Sequence, residues 1–269
     1  MLTEILLGAG VGAALGLTGS GGVLAVPALI IGLGMTLPEA VPVSLIAIGM
    51  ASAIGTLEGL RKKLVRYRAA IVMAIAGTIL SPLGIWLSHE LPHDVMMILF
   101  CFLLFYIALR MARQARGSGA ADEMDQVIGA NCMLRPDTGR FQWNPRCFAT
   151  LTSIGGMSGL FSGMLGVGGG FLIVPGVRQF SNLGMHGIVS TSLAVITLIS
   201  AGTVTGTLLR GATIAPSSWW FIGATVVGLI VARRFAPRIP ANALQWGFAI
   251  LASLVSVMLL VKTLLAMAV

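Results

Sequence analysis

The chain has 269 residues, of which 57% are hydrophobic and 10% charged, with a mean hydropathy of +0.96. A soluble domain carries about 25% charged residues, so the composition excludes an ordinary water-soluble fold and points to one integral membrane domain in a lipid bilayer. The formal net charge of +8 does not call for nucleic acid, because the basic residues sit in short loops between apolar runs, where the positive-inside bias accounts for them.

The length leaves room for roughly eight segments of ~20 residues. The first residues, MLTEILLGAG, lack a basic leader region and read as a retained first segment. That segment, 5–33, is two apolar pieces around Gly19-Ser20-Gly21-Gly22. The second, 38–60, has Thr36 as a fair N-cap, with Pro38 and Glu39 suited to its first turn. It ends in a basic run holding Arg61, Lys62, Lys63, Arg66 and Arg68. The third, 69–87, meets a turn with His89, Glu90, His93 and Asp94, which reads as a solvated turn rather than a metal site. Pro92 opens the fourth, 92–110.

Residues 113–146 form the long polar linker between a first transmembrane repeat, 1–112, and a second, 147–269. Its Pro136-Asp137-Thr138-Gly139 turn allows a small β-hairpin. Four apolar segments follow, 147–180, 186–209, 214–235 and 240–265. Cys101, Cys132 and Cys147 show neither paired nor metal-ligand spacing and read as packing or loop thiols.

The two halves match at an offset of 148. Gly21, Gly22, Leu24, Val26 and Pro27 fall on Gly169, Gly170, Leu172, Val174 and Pro175. Val41, Ser44, Leu45, Ile48, Ser52 and Ala53 fall on Val189, Ser192, Leu193, Ile196, Ser200 and Ala201. An internal duplication explains one offset kept across matches this far apart. The fold expected is therefore all-α, with two homologous four-segment repeats whose first and fifth segments are broken at Gly-rich loops.

Topology forks on those breaks. With eight crossings, 13 of the 17 basic residues share one side; with both broken segments re-entrant, the split is 15 against two and the halves are inverted. The loops after Leu60 and after Arg110 are cytoplasmic in both versions.

A glycine break inside a membrane segment frees backbone N–H groups that lipid cannot satisfy, so it must be buried in protein or line a watery cavity. The half-helices starting near Gly22 and Gly170 would aim the positive end of their dipoles there, and glycine lets an oxyanion approach the backbone. Close helix packing is the competing reading of one such cluster. Two clusters, Gly19, Ser20, Gly21 and Gly22 in one half and Gly166, Gly168, Gly169 and Gly170 in the other, favour a substrate site. Ser44, Thr191 and Ser192 add hydroxyl donors, while Ser52 and Ser200 read better as hydroxyls bonded back to their own helices. No Ser–His–Asp, HExxH, CxxC or Walker pattern occurs, so neither an enzyme, a cofactor nor a metal is expected.

The twin motifs GLTGSGGVLAVP and GMLGVGGGFLIVP, the triplet Thr191-Ser192-Leu193 and the linker PDTGRFQW resemble the sulfite exporter TauE/SafE family of membrane permeases over nearly the whole chain. The resemblance implies a multi-pass protein of the bacterial inner membrane that moves small sulfur-containing anions, among them sulfite, thiosulfate and sulfonates such as sulfoacetate. A passive anion channel and a non-transporting assembly protein are the alternatives, and a homo-oligomer stays open. The first motif is one residue short and carries Ser20 among its glycines, so the second half is expected to dominate substrate contact. On this reading Gly169→Val stops transport and leaves the protein inserted, and Gly21→Val acts alike but less completely.

Overall fold

The computed structural model describes residues 2–116, 132–133, 143–209, 218–235 and 241–267. Helices α1 (Leu2–Thr18) and α2 (Ala25–Gly32) flank a single 3-10 turn, Gly21–Leu24, and are followed by α3 (Leu37–Arg61), α4 (Tyr67–Glu90) and α5 (His93–Arg116). After the linker come α6 (Pro145–Leu165), α7 (Gly170–Phe180), α8 (Met185–Leu209), α9 (Ser218–Phe235) and α10 (Ala241–Met267). Among the described residues these ten helices are joined by no strand. The segment around the Pro136 turn, where a hairpin is allowed, lies outside the described residues, as do the side chains of His89 and His93. By length and composition, α3, α4 up to Ser88, α6 and α8 up to Thr207 can each cross a membrane.

Local chemistry sets the ends. Thr36 closes a capping box on α3, its N–H and Oγ both donating to Glu39 Oε2 at 3.0 and 2.8 Å. Pro27 sits in the first turn of α2, where no intrahelical partner for an N–H is lost.

Both broken segments fold back on themselves. Gly32, at the end of α2, lies against the Leu7 side chain near the start of α1, and Gly176 of α7 lies against Ile154 of α6, with 3.0 Å to Ile154 Cδ1 from the point a Cβ would occupy. Each pair is a helical hairpin with its bend at the glycines.

Glycine steps then bring helices into backbone contact, as small residues do where lipid supplies no hydrophobic drive for association. Gly8, Gly12 and Gly16 of α1 face the carbonyls of Phe221, Thr225 and Leu229 on α9. Gly155, Gly159 and Gly163 of α6 face those of Met73, Gly77 and Ser81 on α4. Both pairs run parallel, and each contact in one has its counterpart 147 or 148 residues along the chain in the other. At the centre α3 and α8 cross antiparallel, with Gly49 facing Ser200, Gly55 facing Leu193 and Gly59 facing Ser190. Hydroxyl pairs tie the centre: Thr56 to Thr197 at 3.3 Å, and Ser81 of α4 to Thr203 of α8 at 2.7 Å. On the outside, Ile71, Ile75, Ile79, Leu83 and Trp86 of α4 form an exposed apolar stripe, the surface that acyl chains would cover.

Two findings differ from the sequence reading. Cys132 and Cys147 are disulfide-bonded, with Cα atoms 4.9 Å apart, while Cys101 is a free, buried thiol. Spacing missed the bond because Cys132 is brought back by tertiary structure: its N–H donates to Phe180 O at 2.9 Å at the end of α7, beside the first turn of α6. Arg233 is also more deeply placed than a basic residue at a helix end suggests, its side chain only 9% exposed. It donates from Nη1 to Gly55 O at 2.7 Å and pairs through Nε with Glu58 at 2.9 Å, and Glu58 in turn meets Lys62. These partners offset the desolvation of a charge this far inside the bundle.

A Cβ at Gly12 or Gly159 would overlap a backbone carbonyl of the neighbouring helix, whereas at Gly10 it would meet nothing within 4 Å. Overpacking of this kind costs roughly 1–3 kcal/mol. Gly12→Ala and Gly159→Ala are each expected to lower the melting temperature of the detergent-solubilised protein, with Gly10→Ala unchanged. Melting curves of the three variants check it.

Candidate functional site

The site is built from the two bends. In the first, α1 ends at Thr18 and Gly19 turns the chain at φ +68°, followed by Ser20 and the 3-10 turn. Thr18 Oγ1 donates to Ala14 O at 2.8 Å and accepts from the Ser20 N–H at 3.2 Å, so side chains stand in for helix bonds the turn gives up. In the second, Gly166, Gly168 and Gly169 all have positive φ, 69–71°, and α7 starts at Gly170. An L side chain rarely adopts those angles. Gly21 and Gly22 are not among the positive-φ glycines, so the shorter first bend needs that freedom only at Gly19.

The bends meet. A Cβ on Gly170 would lie 2.8 Å from Gly19 O, and one on Gly22 would lie 3.2 Å from Val167 O. Motifs far apart in the chain therefore share one buried place. Each bend is also held by the central helix of the other half: Ser44 Oγ of α3 donates to Gly166 O at 2.7 Å, and Ser192 Oγ of α8 reaches Gly19 O at 3.4 Å. Both hydroxyls also bond back to their own helices, to Val41 O at 2.8 Å and Val189 O at 2.9 Å. Gly19, Ser20, Gly21, Gly22, Ser44, Gly166, Gly168, Gly169, Gly170 and Ser192 are thus brought together. Thr191 is not at the bends: its Oγ1 accepts the Arg66 N–H at 3.1 Å and braces the loop between α3 and α4.

Three features escaped the sequence reading. Ser158 of α6 donates to Gly169 O at 2.7 Å, and only its place one turn before Ser162 on a glycine-rich face hinted at it. Ile48 and Ile196 close on the bends from α3 and α8, against Gly22, Gly168 and Gly170. Ser52 and Ser200 are fully buried and their hydroxyls make no hydrogen bond within the described protein, against the expectation that they bond back to their helices. Ser200 Oγ lies 3.5 Å from the point a Cβ on Gly168 would occupy.

An apolar groove of about 680 Å³ lies elsewhere, between α5 and α10, lined by Ala112, Trp246, Ile250, Leu254 and Val257. Ile250 and Leu254 are more than 60% exposed there, so it belongs to the lipid-facing outside rather than to the bends. Among the described residues no group of three or more His, Cys, Asp or Glu is placed to hold a metal ion.

Antiparallel and parallel apolar helices around two helical hairpins whose bends are buried define an all-α multi-pass membrane protein. The family model for the sulfite exporter TauE/SafE matches residues 4–259, and the chain belongs to that family. It is similar to a probable membrane transporter protein of Xylella fastidiosa (strain Temecula1 / ATCC 700964), 29% identical over 196 residues that cover 71% of this chain and 69% of the relative. A probable membrane transporter protein of Xylella fastidiosa strain 9a5c is 28% identical over the same shares of each chain. No solved structure matches the chain. The protein is a membrane transporter.

The geometry changes what glycine substitutions should do. At Gly169 a Cβ would overlap Ser158 Oγ and lie 2.6 Å from Ser158 O, at φ +71°; at Gly21 it would strike the Ala14–Leu15 backbone. Gly169→Val and Gly21→Val are therefore expected to break the hairpins themselves, with loss of folded protein in size-exclusion profiles, rather than to spare folding. Gly168 differs, since its neighbours are the side-chain ends of Ile48, Ile196 and Ser200. A left-handed alanine costs roughly 1–2 kcal/mol, so Gly168→Ala should give a folded protein with impaired transport.

Proposed function

We propose that the protein is a secondary transporter, not an enzyme, that exports a small sulfur-containing anion such as sulfite, thiosulfate or sulfoacetate across the bacterial inner membrane. The observation that carries the reading is the meeting of two glycine bends at the centre of the bundle, where backbone donors and buried hydroxyls converge. Discontinuous helices whose half-helix N-termini face a shared central place are the plan by which many secondary transporters hold anionic groups.

The helix directions support an inverted arrangement of two repeats, 1–112 and 147–269, joined by the linker 113–146. Equivalent central helices α3 and α8 run antiparallel, as they must if one half is turned over relative to the other. With each hairpin entering and leaving on one face, each half has three crossings, the termini lie outside, and 15 of the 17 basic residues face the cytoplasm. The Cys132–Cys147 bond pulls the other way, since cytoplasmic thiols are kept reduced. The charge asymmetry is the stronger guide: two cysteines 4.9 Å apart stay neighbours whether oxidised or reduced.

Proteoliposomes loaded with radiolabelled sulfite, thiosulfate or sulfoacetate test the function. Flux that is saturable and driven uphill by an ion gradient supports the transporter. Flux that only follows its own gradient means a passive anion channel, and flux equal to protein-free vesicles for all three means a protein that does not transport them. Topology is checked separately. A Thr3→Cys variant should react with a membrane-impermeant thiol reagent from outside intact cells, and an Arg61→Cys variant only after lysis; the reverse pattern overturns the inverted plan.

A further inference from the structure

We propose that Ser52 and Ser200 are the hydroxyl donors that hold the transported oxyanion, in a site between α3 and α8 closed by Gly168. This rests on the transport reading above and names its contacts. Most other central hydroxyls are used: Ser44 and Ser192 hold the bends, Thr56 pairs with Thr197, Ser81 pairs with Thr203, and Ser158 holds Gly169, while Ser162 of α6 is buried without a partner but has Leu15 as its counterpart 147 residues earlier. Ser52 and Ser200 are the matched pair among these unpartnered hydroxyls. Both are 0% exposed, both hydroxyls lack a protein partner, and the two positions are 148 residues apart, matched between the halves. A buried hydroxyl left unsatisfied is unfavourable, so a matched pair of them calls for an occupant with acceptor atoms.

Their setting specifies that occupant. Ser200 packs against Gly49 of α3, with 3.1 Å between Ser200 Cβ and the point a Cβ on Gly49 would occupy, and Ser52 lies three residues further along the same helix. Ser200 also faces Gly168, whose φ of +69° opens the backbone just before the positive end of α7. The cation nearest along α3 is Arg233, and its charge is committed to Gly55 O and Glu58. The site therefore offers neutral O–H and N–H donors, flanked by Ile48 and Ile196, which limit its width. A compact oxyanion with several acceptor oxygens fits these terms, and a cation or a bulky organic group does not. Neutral donors also suit release, because a site of this kind has no fixed positive charge to retain its cargo.

The experiment uses the full chain, purified into nanodiscs for equilibrium binding of radiolabelled sulfite and into proteoliposomes for its transport. Ser52→Ala and Ser200→Ala should each weaken sulfite binding at least tenfold, and Ser200→Thr, which keeps the hydroxyl, should retain more than Ser200→Ala. Because these hydroxyls have no protein partner, both alanine variants should melt at or above the wild-type temperature, whereas Ser44→Ala, which loses the bond to Gly166, should melt lower. Alanine variants that bind and carry sulfite like wild type, or that melt several degrees lower, overturn the proposal while leaving transport intact. Wild-type protein that neither binds nor moves any of sulfite, thiosulfate and sulfoacetate overturns the transport reading itself, and with it this site.

Discussion

The constraint on which the rest of the structure depends is that a helix broken inside a bilayer must satisfy its freed backbone groups within the protein. Each one costs several kcal/mol if left to hydrocarbon. This chain has two such breaks, and it satisfies them together. The bend after α1 and the bend after α6 abut, and each offers a carbonyl that a serine from the opposite half reaches, Gly166 to Ser44 and Gly19 to Ser192. Each half satisfies part of its own bend, through Thr18 in the first and Ser158 in the second, and takes a further bond from the other half. The breaks thus make the two halves one unit, and they place backbone donors at the middle of a protein that is otherwise apolar.

Close approach of the hairpins to the crossing helices follows from the same need. A hairpin that ends inside the bundle has no loop in water to anchor it, so its longer arm must be held along its length. The steps Gly8, Gly12, Gly16 and Gly155, Gly159, Gly163 supply this by laying α1 on α9 and α6 on α4 at backbone contact. Each hairpin is thereby fastened to the second crossing helix of the other half, α9 or α4, and its bend to a serine of the central pair α3 and α8.

Much of this was legible in the sequence, and the reasons are local. Apolar runs with few charges fixed the eight helical segments, and the paired glycine motifs marked both breaks because glycine is a poor choice inside a helix. Thr36, Pro38 and Glu39 marked the start of α3, as observed. What the sequence did not reveal depends on contacts between segments. Whether a broken segment continues or returns is decided by Leu7 meeting Gly32 and Ile154 meeting Gly176. The Cys132–Cys147 bond depends on how the linker runs back to α7. Which serines are occupied is likewise tertiary: Ser44 and Ser52 look alike on one helix, yet one is used by a neighbouring carbonyl and the other is left without a partner.

The halves match in their seams and differ at their ends, and the difference has a direction. Glu58 and Arg233 join α3 to α9 near the face that holds most of the basic loops. The positions 148 residues away, Gly206 and Ile85, join α8 to α4 near the opposite face by an apolar contact, with 3.3 Å from Ile85 Cδ1 to the point a Cβ on Gly206 would occupy. The bends differ in the same sense, one left-handed glycine in the first against three in the second. Two halves that were identical would place equal barriers on both faces of the central site. An ion pair on one face and an aliphatic contact on the other differ in what opening them costs, because parting the first leaves the Arg233 guanidinium, 9% exposed, without its carboxylate. The contacts that match between the halves thus supply the shared centre, and the few positions where they diverge supply the asymmetry between its two sides.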